Sequence, residues 1–191
     1  MERRDDRSLR PQVPEIRYDA LSQEQQRAYQ RIARTRSEGV PGPFVAWLAR
    51  PDLAEQINDV ATTLRTHGTL SQRLYELAVL TVARQWDCNF LWTNHHPVAL
   101  ASGLPAHGVE AIRTGAAPQF EREDERVCYE ILDELIETQS LTDESFACGV
   151  RTIGYTEFME LTTVFGFYSM AAVVLKTYAV VEPTRSRPLD N

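Results

Sequence analysis

The stretch from Leu70 to Gly103 constrains the fold of this chain more than any other part of the sequence. It predicts two consecutive helices, because Ser71 is placed to cap the first and Gly103 to end the second. Asp87 lies between them and is expected to cap the second helix, from Cys88 to Ser102. Helical spacing places these residues of the first helix on its inner face: Leu74, Leu77, Ala78, Thr81 and Val82. The chain is therefore expected to contain a buried two-helix hairpin at its centre.

Helix signals also dominate the rest of the chain. Ser22 and Gln25 form a capping-box pattern, which starts a helix that is expected to stop at Gly39. Further helices are expected at about 44–50, 52–66, 105–115, 123–138, 142–153 and 156–181. No segment sustains the period-two alternation of a strand, and no Asn-Gly hairpin signal occurs. The sequence therefore predicts an all-α protein with about eight helices around the central hairpin.

The chain of 191 residues is long enough for one domain with a full core, which we place at residues 19–182. Residues 1–18 are charged and interrupted by proline, which predicts a flexible N-terminal arm, either disordered or wrapped around a neighbouring subunit. Residues 183–191 contain two prolines and are expected to form a flexible tail.

The net charge of −7 argues against nucleic acid or an anionic membrane as a partner. The apolar run from Leu161 to Val181 is long enough for a membrane span, but Lys176, Gly166 and several threonines favour a buried or interface helix. The first residues lack the apolar region of a secretory signal, and the three cysteines form no CxxC pair. We therefore expect free thiols and a cytoplasmic location.

Four residues of the second hairpin helix share one stripe at about 100° per residue. They are Cys88, Leu91, Trp92 and His95. A tight hairpin brings Glu76 of the first helix across to this stripe, and a carboxylate beside an imidazole in an apolar pocket forms a proton-transfer pair. Cys88 lies in the first helical turn, where the helix dipole favours a thiolate. The competing interpretation is a structural Glu–His pair and a cysteine that packs in the core.

A metal site is not predicted from His95 and His96. Adjacent residues on a helix diverge by about 100°, and the sequence offers no clear third ligand. No metal and no other cofactor is therefore expected. His67, at a helix end, and His96 are second candidates for a role in the site, and both are expected to be surface histidines.

The spacing of these residues resembles the carboxymuconolactone decarboxylase family, which shares the AhpD-like all-α fold with the alkylhydroperoxidases. The family pattern is a glutamate, a cysteine twelve residues later and a histidine seven residues after that cysteine. Glu76, Cys88 and His95 reproduce this register, and Trp92 matches the family's tryptophan. Flanking residues that agree are Gly42, Pro43, Phe44, Pro51, Asp52, Leu53, Ala54, Ala101, Ser102, Gly103, Leu104, Glu110, Ala111, Ile112 and Arg113. The resemblance covers about residues 40–116 well.

Leu91 is the main departure from the family pattern. In the peroxidase branch this position holds a second cysteine, and the resulting CxxC couple attacks and resolves peroxide. In the decarboxylase branch it commonly holds a glutamate. Cys128 and Cys148 lie on other predicted helices, which disfavours dithiol chemistry. Glu76 and His95 then remain as the ionisable pair.

The resemblance implies a cofactor-free lyase or isomerase that acts on a small cyclic or unsaturated carboxylic acid by proton transfer. His95 would be the general acid and base, Glu76 would orient it, and Cys88 would form a polar wall of the catalytic site. The residues expected to bind substrate are Leu91, Trp92, Phe90 and Trp86. The alternative enzyme is a thiol oxidoreductase with peroxiredoxin-like activity, in which Cys88 works alone with an external thiol. A non-catalytic small-molecule-binding module is the third interpretation.

The apolar final helix and the resemblance both imply a homo-oligomer, with a trimer or a hexamer as the family habit. The expected partners are therefore further copies of the chain and a small-molecule substrate. The arm of residues 1–18 would lock such an assembly.

Overall fold

The computed structural model describes residues 17–36, 40, 42–180 and 187–190. This part of the chain contains nine α-helices and no β-strand. They are α1 (Gln23–Arg34), α2 (Pro43–Trp47), α3 (Pro51–Thr62), α4 (Gln72–Gln85), α5 (Asn89–Ala101), α6 (Ala106–Thr114), α7 (Glu123–Thr138), α8 (Asp143–Ile153) and α9 (Tyr155–Thr177). A 3₁₀ turn, Tyr18–Ala20, precedes α1, and a π-helical turn, Thr63–His67, follows α3. The all-α prediction is confirmed.

The central helix of the molecule is α4, which packs against α5, α7 and α9. Every residue from 74 to 83 is buried, so α4 is covered on all sides. A helix that is enclosed in this way needs no polar face, which explains its long apolar run. Ser71 caps it as predicted, since the Ser71 hydroxyl accepts a hydrogen bond from the Leu74 amide at 3.4 Å. The two-helix hairpin of α4 and α5 is confirmed.

At the helix ends, one predicted cap is confirmed and another is wrong. The capping box of Ser22 and Gln25 is present at the start of α1. The prediction that Asp87 caps α5 is wrong, because Asp87 has a left-handed φ of 44° and Cys88 occupies the N-cap position. The Asp87 carboxylate instead accepts a hydrogen bond from Arg84, 2.6 Å away at the end of α4.

Helices α1, α2 and α3 form a second, smaller apolar cluster beside the main core. Its buried members are Ala28, Ile32, Phe44, Trp47, Leu48, Ala54, Ile57, Ala61 and Ala171. Ala171 belongs to α9, whose other buried residues lie in the main core. α9 therefore joins the N-terminal helices to α4.

Among the helices of the described residues, one, α9, meets the length and composition criteria of a membrane span, with a mean hydropathy of 1.6 in its most apolar window. Core helices of soluble proteins meet the same criteria. One face of α9 is buried, in agreement with the prediction of a buried or interface helix. The opposite face is exposed and will be called the exposed stripe: Tyr155, Met159, Thr163, Gly166, Met170, Val173 and Thr177.

Residues 187–190, within the segment predicted to be a flexible tail, contact the helical domain. The Leu189 amide donates to Asn89 Oδ1 at 2.8 Å, and the Leu189 side chain is buried. Arg113 of α6 donates to the Pro188 carbonyl at 2.9 Å. At the other end of the chain, residues 1–16 of the predicted arm lie outside the described residues.

Candidate active site

Glu76 is a charged side chain inside the core, with only 2% of its surface exposed. An ionised carboxylate in such a place costs several kcal/mol unless hydrogen bonds satisfy it. Both of its oxygens have partners: Gln72 Nε2 donates to Oε1 at 2.6 Å, and His95 Nδ1 lies 2.8 Å from Oε2. Gln72 is one helical turn before Glu76, so α4 itself holds the carboxylate in position. The predicted pairing of Glu76 with His95 is present.

His95 of α5 stands at the edge of the core, with 20% of its side chain exposed. The bond to a carboxylate places the imidazole proton on Nδ1, because a carboxylate only accepts hydrogen bonds. Nε2 of the neutral ring is then a proton acceptor. It has no hydrogen-bond partner within the described ranges of the chain. The pair therefore presents one free basic nitrogen, oriented from behind by Glu76.

A pair of buried tyrosines completes this cluster. The hydroxyls of Tyr75 and Tyr168 lie 2.7 Å apart, and the Tyr168 ring meets the His95 ring edge-on with centroids 5.1 Å apart. Burial raises the pKa of Tyr75 to about 12 and that of Tyr168 well above its ordinary value. Both phenols are therefore protonated hydrogen-bond donors at neutral pH.

Sequence reasoning did not assign Tyr75, Tyr168 or Gln72 to the site. Gln72 and Tyr75 lie on the same helix as Glu76, four residues and one residue before it. Their spacing from Glu76 could therefore have assigned them to the site from the sequence. Tyr168 lies on α9, and no sequence spacing connects it to His95. Only the packing of α9 on α4 brings it there.

Cys88 is buried at the N-cap of α5, with 3% of its surface exposed. Burial raises the pKa of its thiol, and this effect outweighs the lowering by the Leu91 and Phe90 amides and by Lys176. The expectation that the helix dipole would favour a thiolate is therefore wrong for this structure. No hydrogen bond joins Cys88 to Glu76 or His95 among the described residues. All three cysteines are free.

The four residues predicted to bind substrate occupy two environments. Leu91 and Trp92 are buried in the same apolar core as Cys88. Phe90 and Trp86 are half-buried and pack against that core. The Phe90 ring closely approaches Gly42, where the ring carbons lie 2.7 Å from the position that a Cβ would take. Whether these four side chains bind substrate stays a prediction.

Among the described residues, neither of the two histidines named as second candidates forms a hydrogen bond with Glu76 or His95. His67 is exposed in the π-helical turn after α3. His96 is half-buried, and its ring stacks on Trp92 with centroids 5.9 Å apart. Within the described part of the chain, no group of three His, Cys, Asp or Glu side chains is arranged to hold a metal ion.

Comparison with known proteins finds similarity in structure but not in sequence. No protein-family model matches the chain, and no curated protein matches its sequence. The ligand-free debrominase Bmp8 superposes with a TM-score of 0.69 at 14% identity, over 93% of this chain and 95% of that chain. A Bmp8 variant with one cysteine replaced by alanine, in complex with 2,3,4-tribromopyrrole, gives 0.69 at 13% identity, over 92% and 93%. At such identities the likeness concerns the fold, and it shows that this chain has the AhpD-like all-helical fold.

Proposed function

We propose that the chain is a cofactor-free enzyme that moves a proton on a small cyclic or unsaturated carboxylic acid, as a lyase or isomerase. The observation that carries this proposal is the 2.8 Å contact of Glu76 Oε2 with His95 Nδ1, which leaves Nε2 at the edge of the core without a hydrogen-bond partner among the described residues. The register of glutamate, cysteine and histidine and the AhpD-like fold also support it.

In an isomerisation, His95 Nε2 would remove a proton from a carbon next to an unsaturated or carbonyl group. The electron pair of the broken C–H bond shifts the double bond, and the imidazolium then returns the proton to a carbon farther along. In a decarboxylation, solvent first protonates His95 at Nε2. The C–C bond to the substrate's carboxylate group then breaks, CO₂ leaves, and the remaining electron pair takes that proton from the imidazolium. Each step balances without an oxidant or a metal.

Glu76 supports this cycle by orienting the His95 ring and by stabilising the positive charge of its imidazolium form. Its carboxylate lies against the nitrogen that carries the proton in both states of the ring, and it attracts the imidazolium that forms when Nε2 is protonated. Gln72 keeps the second oxygen occupied, so the carboxylate does not turn away. Glu76 therefore acts through His95 as a positioning residue.

A solvent-exchange experiment tests the proposal before the natural substrate is known. A panel of small unsaturated carboxylic acids and lactones is screened by thermal shift, and the compounds that bind are incubated with protein in D₂O. NMR then detects deuterium at the carbon from which the proton is removed. We expect His95→Gln to slow this exchange about 100-fold or more and Glu76→Gln about tenfold or more.

His96→Gln is the matched control, because His96 follows His95 in the chain but stacks on Trp92. It is expected to keep the exchange rate of the unchanged protein. Exchange that survives in His95→Gln would contradict the proposal. Binding without exchange for every compound of the panel would favour the non-catalytic binding module.

A thiol oxidoreductase is the second candidate, favoured by one observation. The similar Bmp8 structure that contains 2,3,4-tribromopyrrole has a cysteine replaced by alanine, and Cys88 occupies the cysteine position of the register in this chain. The Cys88 thiolate would attack the outer oxygen of a hydroperoxide, giving a sulfenic acid and an alcohol. One external thiol would react with the sulfenic acid to give a mixed disulfide and water, and a second would release the Cys88 thiol and form the external disulfide.

Consumption of an organic hydroperoxide in the presence of a small thiol separates the two candidates. Proton transfer by His95 predicts that Cys88→Ser keeps the exchange reaction and that hydroperoxide consumption is negligible. Hydroperoxide consumption that Cys88→Ser abolishes would favour the thiol enzyme.

We also propose a cytoplasmic location, which the three free cysteines support.

A further inference from the structure

Residues 187–190 form a turn that presents one apolar side chain to the helical domain, and they will be called the strap. The Asp190 amide donates to the Arg187 carbonyl at 3.2 Å, and the Arg187 guanidinium pairs with the Asp190 carboxylate at the same distance. Leu189 is buried, with 4% of its surface exposed, while Arg187 and Asp190 are exposed. The strap is therefore a small unit with its own turn, and Leu189 anchors it.

The surface that receives the strap consists of the first residue of α5 and the end of α6. Asn89 uses both polar atoms of its side chain, because Oδ1 accepts from the Leu189 amide and Nδ2 donates to Asp190 Oδ1, each at 2.8 Å. Arg113 of α6 donates from Nη1 to the Pro188 carbonyl at 2.9 Å. The strap thus connects the beginning of α5 to the end of α6 by three hydrogen bonds.

The docking surface is preorganised on the α6 side. Glu110 binds the guanidinium of Arg113 through both carboxylate oxygens, each at 2.8 Å, and leaves Nη1 for the strap. The Leu189 side chain enters the main apolar core, to which Val109 and Ile112 of α6 belong. The last residues of most domains are poorly ordered unless specific contacts hold them. The contacts here therefore form a built docking site for the strap.

The contacts that close the strap are few enough for it to open. Burial of one leucine and three hydrogen bonds to the domain favour the closed state, and the ordering of four residues opposes it with terms of similar size. Segments near a chain end with few buried contacts open at a much lower free energy than the core. Six residues connect the strap to Val180, so an open strap stays near its docking site and can close again.

The strap binds the first turn of α5 directly beside Cys88. Asn89, which binds the strap, follows Cys88, the N-cap residue of α5. Lys176 of α9 donates to the carbonyls of the two residues before Cys88, at 2.5 and 3.5 Å. The chain on one side of Cys88 is thus held by a long helix and the chain on the other side by the strap. Leu189 and Cys88 also belong to the same apolar core.

We propose that the strap is a detachable cover of the first turn of α5 and that reagents in solution reach the Cys88 thiol when the strap opens. In the closed state, Leu189 fills the core and only 3% of the Cys88 surface is exposed. Opening withdraws Leu189 and both partners of the Asn89 side chain, which uncovers the N-terminal end of α5. A condition that shifts this equilibrium therefore changes the reactivity of Cys88. The inference does not depend on the proton transfer proposed for His95.

Alkylation of Cys88 by iodoacetamide at pH 7.5, followed by mass spectrometry, measures the opening of the strap in the full chain. Leu189→Ser removes the buried side chain of the strap and should speed the alkylation of Cys88 about tenfold or more. Asn89→Ala removes two hydrogen bonds to the strap and leaves Leu189 in place, and it should speed the alkylation about fivefold or more. Cys128 of α7, which is 0% exposed, controls for general unfolding, and its rate should stay within about twofold.

Arg187→Gln is the matched control within the strap, because Arg187 is 65% exposed and its ion pair with Asp190 does not reach the domain. It should change the alkylation rate of Cys88 less than about twofold, since exposed ion pairs contribute little. Hydrogen exchange is the second readout. The Leu189 amide should exchange at least about 100-fold faster than the buried amides of α4, because its hydrogen bond breaks whenever the strap opens.

Three results would overturn the inference. The first is an unchanged alkylation rate of Cys88 in Leu189→Ser and in Asn89→Ala. The second is equal acceleration of Cys88 and Cys128 in both variants, because the thiols would then become accessible through general unfolding. The third is a Leu189 amide that exchanges as slowly as the amides of α4, because the strap would then open only together with the core.

Discussion

Cys88 occupies the cysteine position of the register that Glu76 and His95 define, yet its thiol lies in the core at the N-cap of α5. A thiolate there would lose its hydration, and the dipole of one helix does not compensate for that loss. Leu91 is a further apolar residue in the same core. It occupies the position at which the peroxidase branch of the family that this sequence resembles has a second cysteine. At the scale of single residues, the proposed proton transfer therefore depends on His95 rather than on Cys88.

The three cysteine thiols should react at different rates because they are buried to different degrees. Because burial raises the pKa of Cys88, less of it is thiolate at pH 7.5 than in a free cysteine, and its alkylation should be slower than that of a free cysteine. Cys128, whose pKa burial raises to about 12, should react no faster than Cys88, and the half-buried Cys148 should react first. Iodoacetamide labelling followed by mass spectrometry measures the three rates.

The labelling should accelerate as pH rises above 9, because thiolate then forms on Cys88. In urea, all three cysteines should react alike, which controls for access of the reagent. Labelling of Cys88 at pH 7.5 as fast as that of a free thiol would contradict the raised pKa and would favour the thiol oxidoreductase.

At the scale of helices, the tyrosine pair ties α9 to α4 across the core. Tyr168→Phe should lower the free energy of unfolding by about 1–3 kcal/mol, because it leaves the buried Tyr75 hydroxyl without its partner. Tyr75→Phe should act in the same direction, while the double replacement should cost less than the sum of the two. Urea denaturation of the four proteins gives this cycle, and additive losses would mean that the two hydroxyls are not coupled.

The contact of α8 with α7 and α9 depends on Gly149. A Cβ added there would lie 2.5 Å from Phe158 Cε2 and 2.6 Å from Ile131 Cδ1, both in the core. Gly149→Ala should therefore lower the free energy of unfolding by about 1–3 kcal/mol through overpacking. Thermal and urea denaturation measure the change.

Gly166→Ala is the matched control for Gly149→Ala in a protein that also carries Met170→Glu, which is expected to uncover the exposed stripe that contains Gly166; within the chain, the added methyl group meets no atom within 4 Å. An alanine in an exposed helical position should stabilise the fold by about 0.5–1 kcal/mol. A stabilising Gly149→Ala would contradict the prediction, because it would show that α7, α8 and α9 leave room for a methyl group at this position.

At the scale of the whole molecule, the exposed stripe of α9 is a surface that the described residues of the chain leave uncovered. Its residues recur at alternating intervals of three and four from Met159 to Thr177, which is the spacing of a helix seam that packs on another helix. It has no charged residue, and Gly166 at its centre allows a close approach. We propose that a second copy of the chain covers this stripe, in a homo-oligomer that is a trimer or a hexamer.

Met170→Glu tests this assembly, since it places a charge on the exposed stripe, where Met170 is 40% exposed. We expect size-exclusion chromatography with light scattering to show a smaller particle, because burying an unpaired charge in an interface is costly. Leu53→Glu on α3 is the matched control, at 43% exposure away from the stripe, and should leave the particle size unchanged. A Met170→Glu protein with the full oligomeric mass would exclude the stripe as the interface.

The Glu76–His95 contact was predictable because both residues belong to one hairpin, in which helical period and a short turn determine which side chains face each other. The cap of α5 was not predicted correctly, since Asp87 adopts a left-handed conformation that helix propensity does not encode. The prediction that the helix dipole favours a Cys88 thiolate was also wrong. The dipole follows from the local helix, whereas the burial that raises the pKa of the thiol depends on the rest of the fold.

Local patterns in the sequence thus determined the helices, most of their ends and the pairing of Glu76 with His95. The tertiary structure alone decided how Tyr168 of α9 meets His95 of α5. These groups come from helices far apart in the chain, and no periodicity relates one helix to another. Their approach depends on how α5 and α9 pack against α4, which is a property of complementary side-chain volumes over the whole core.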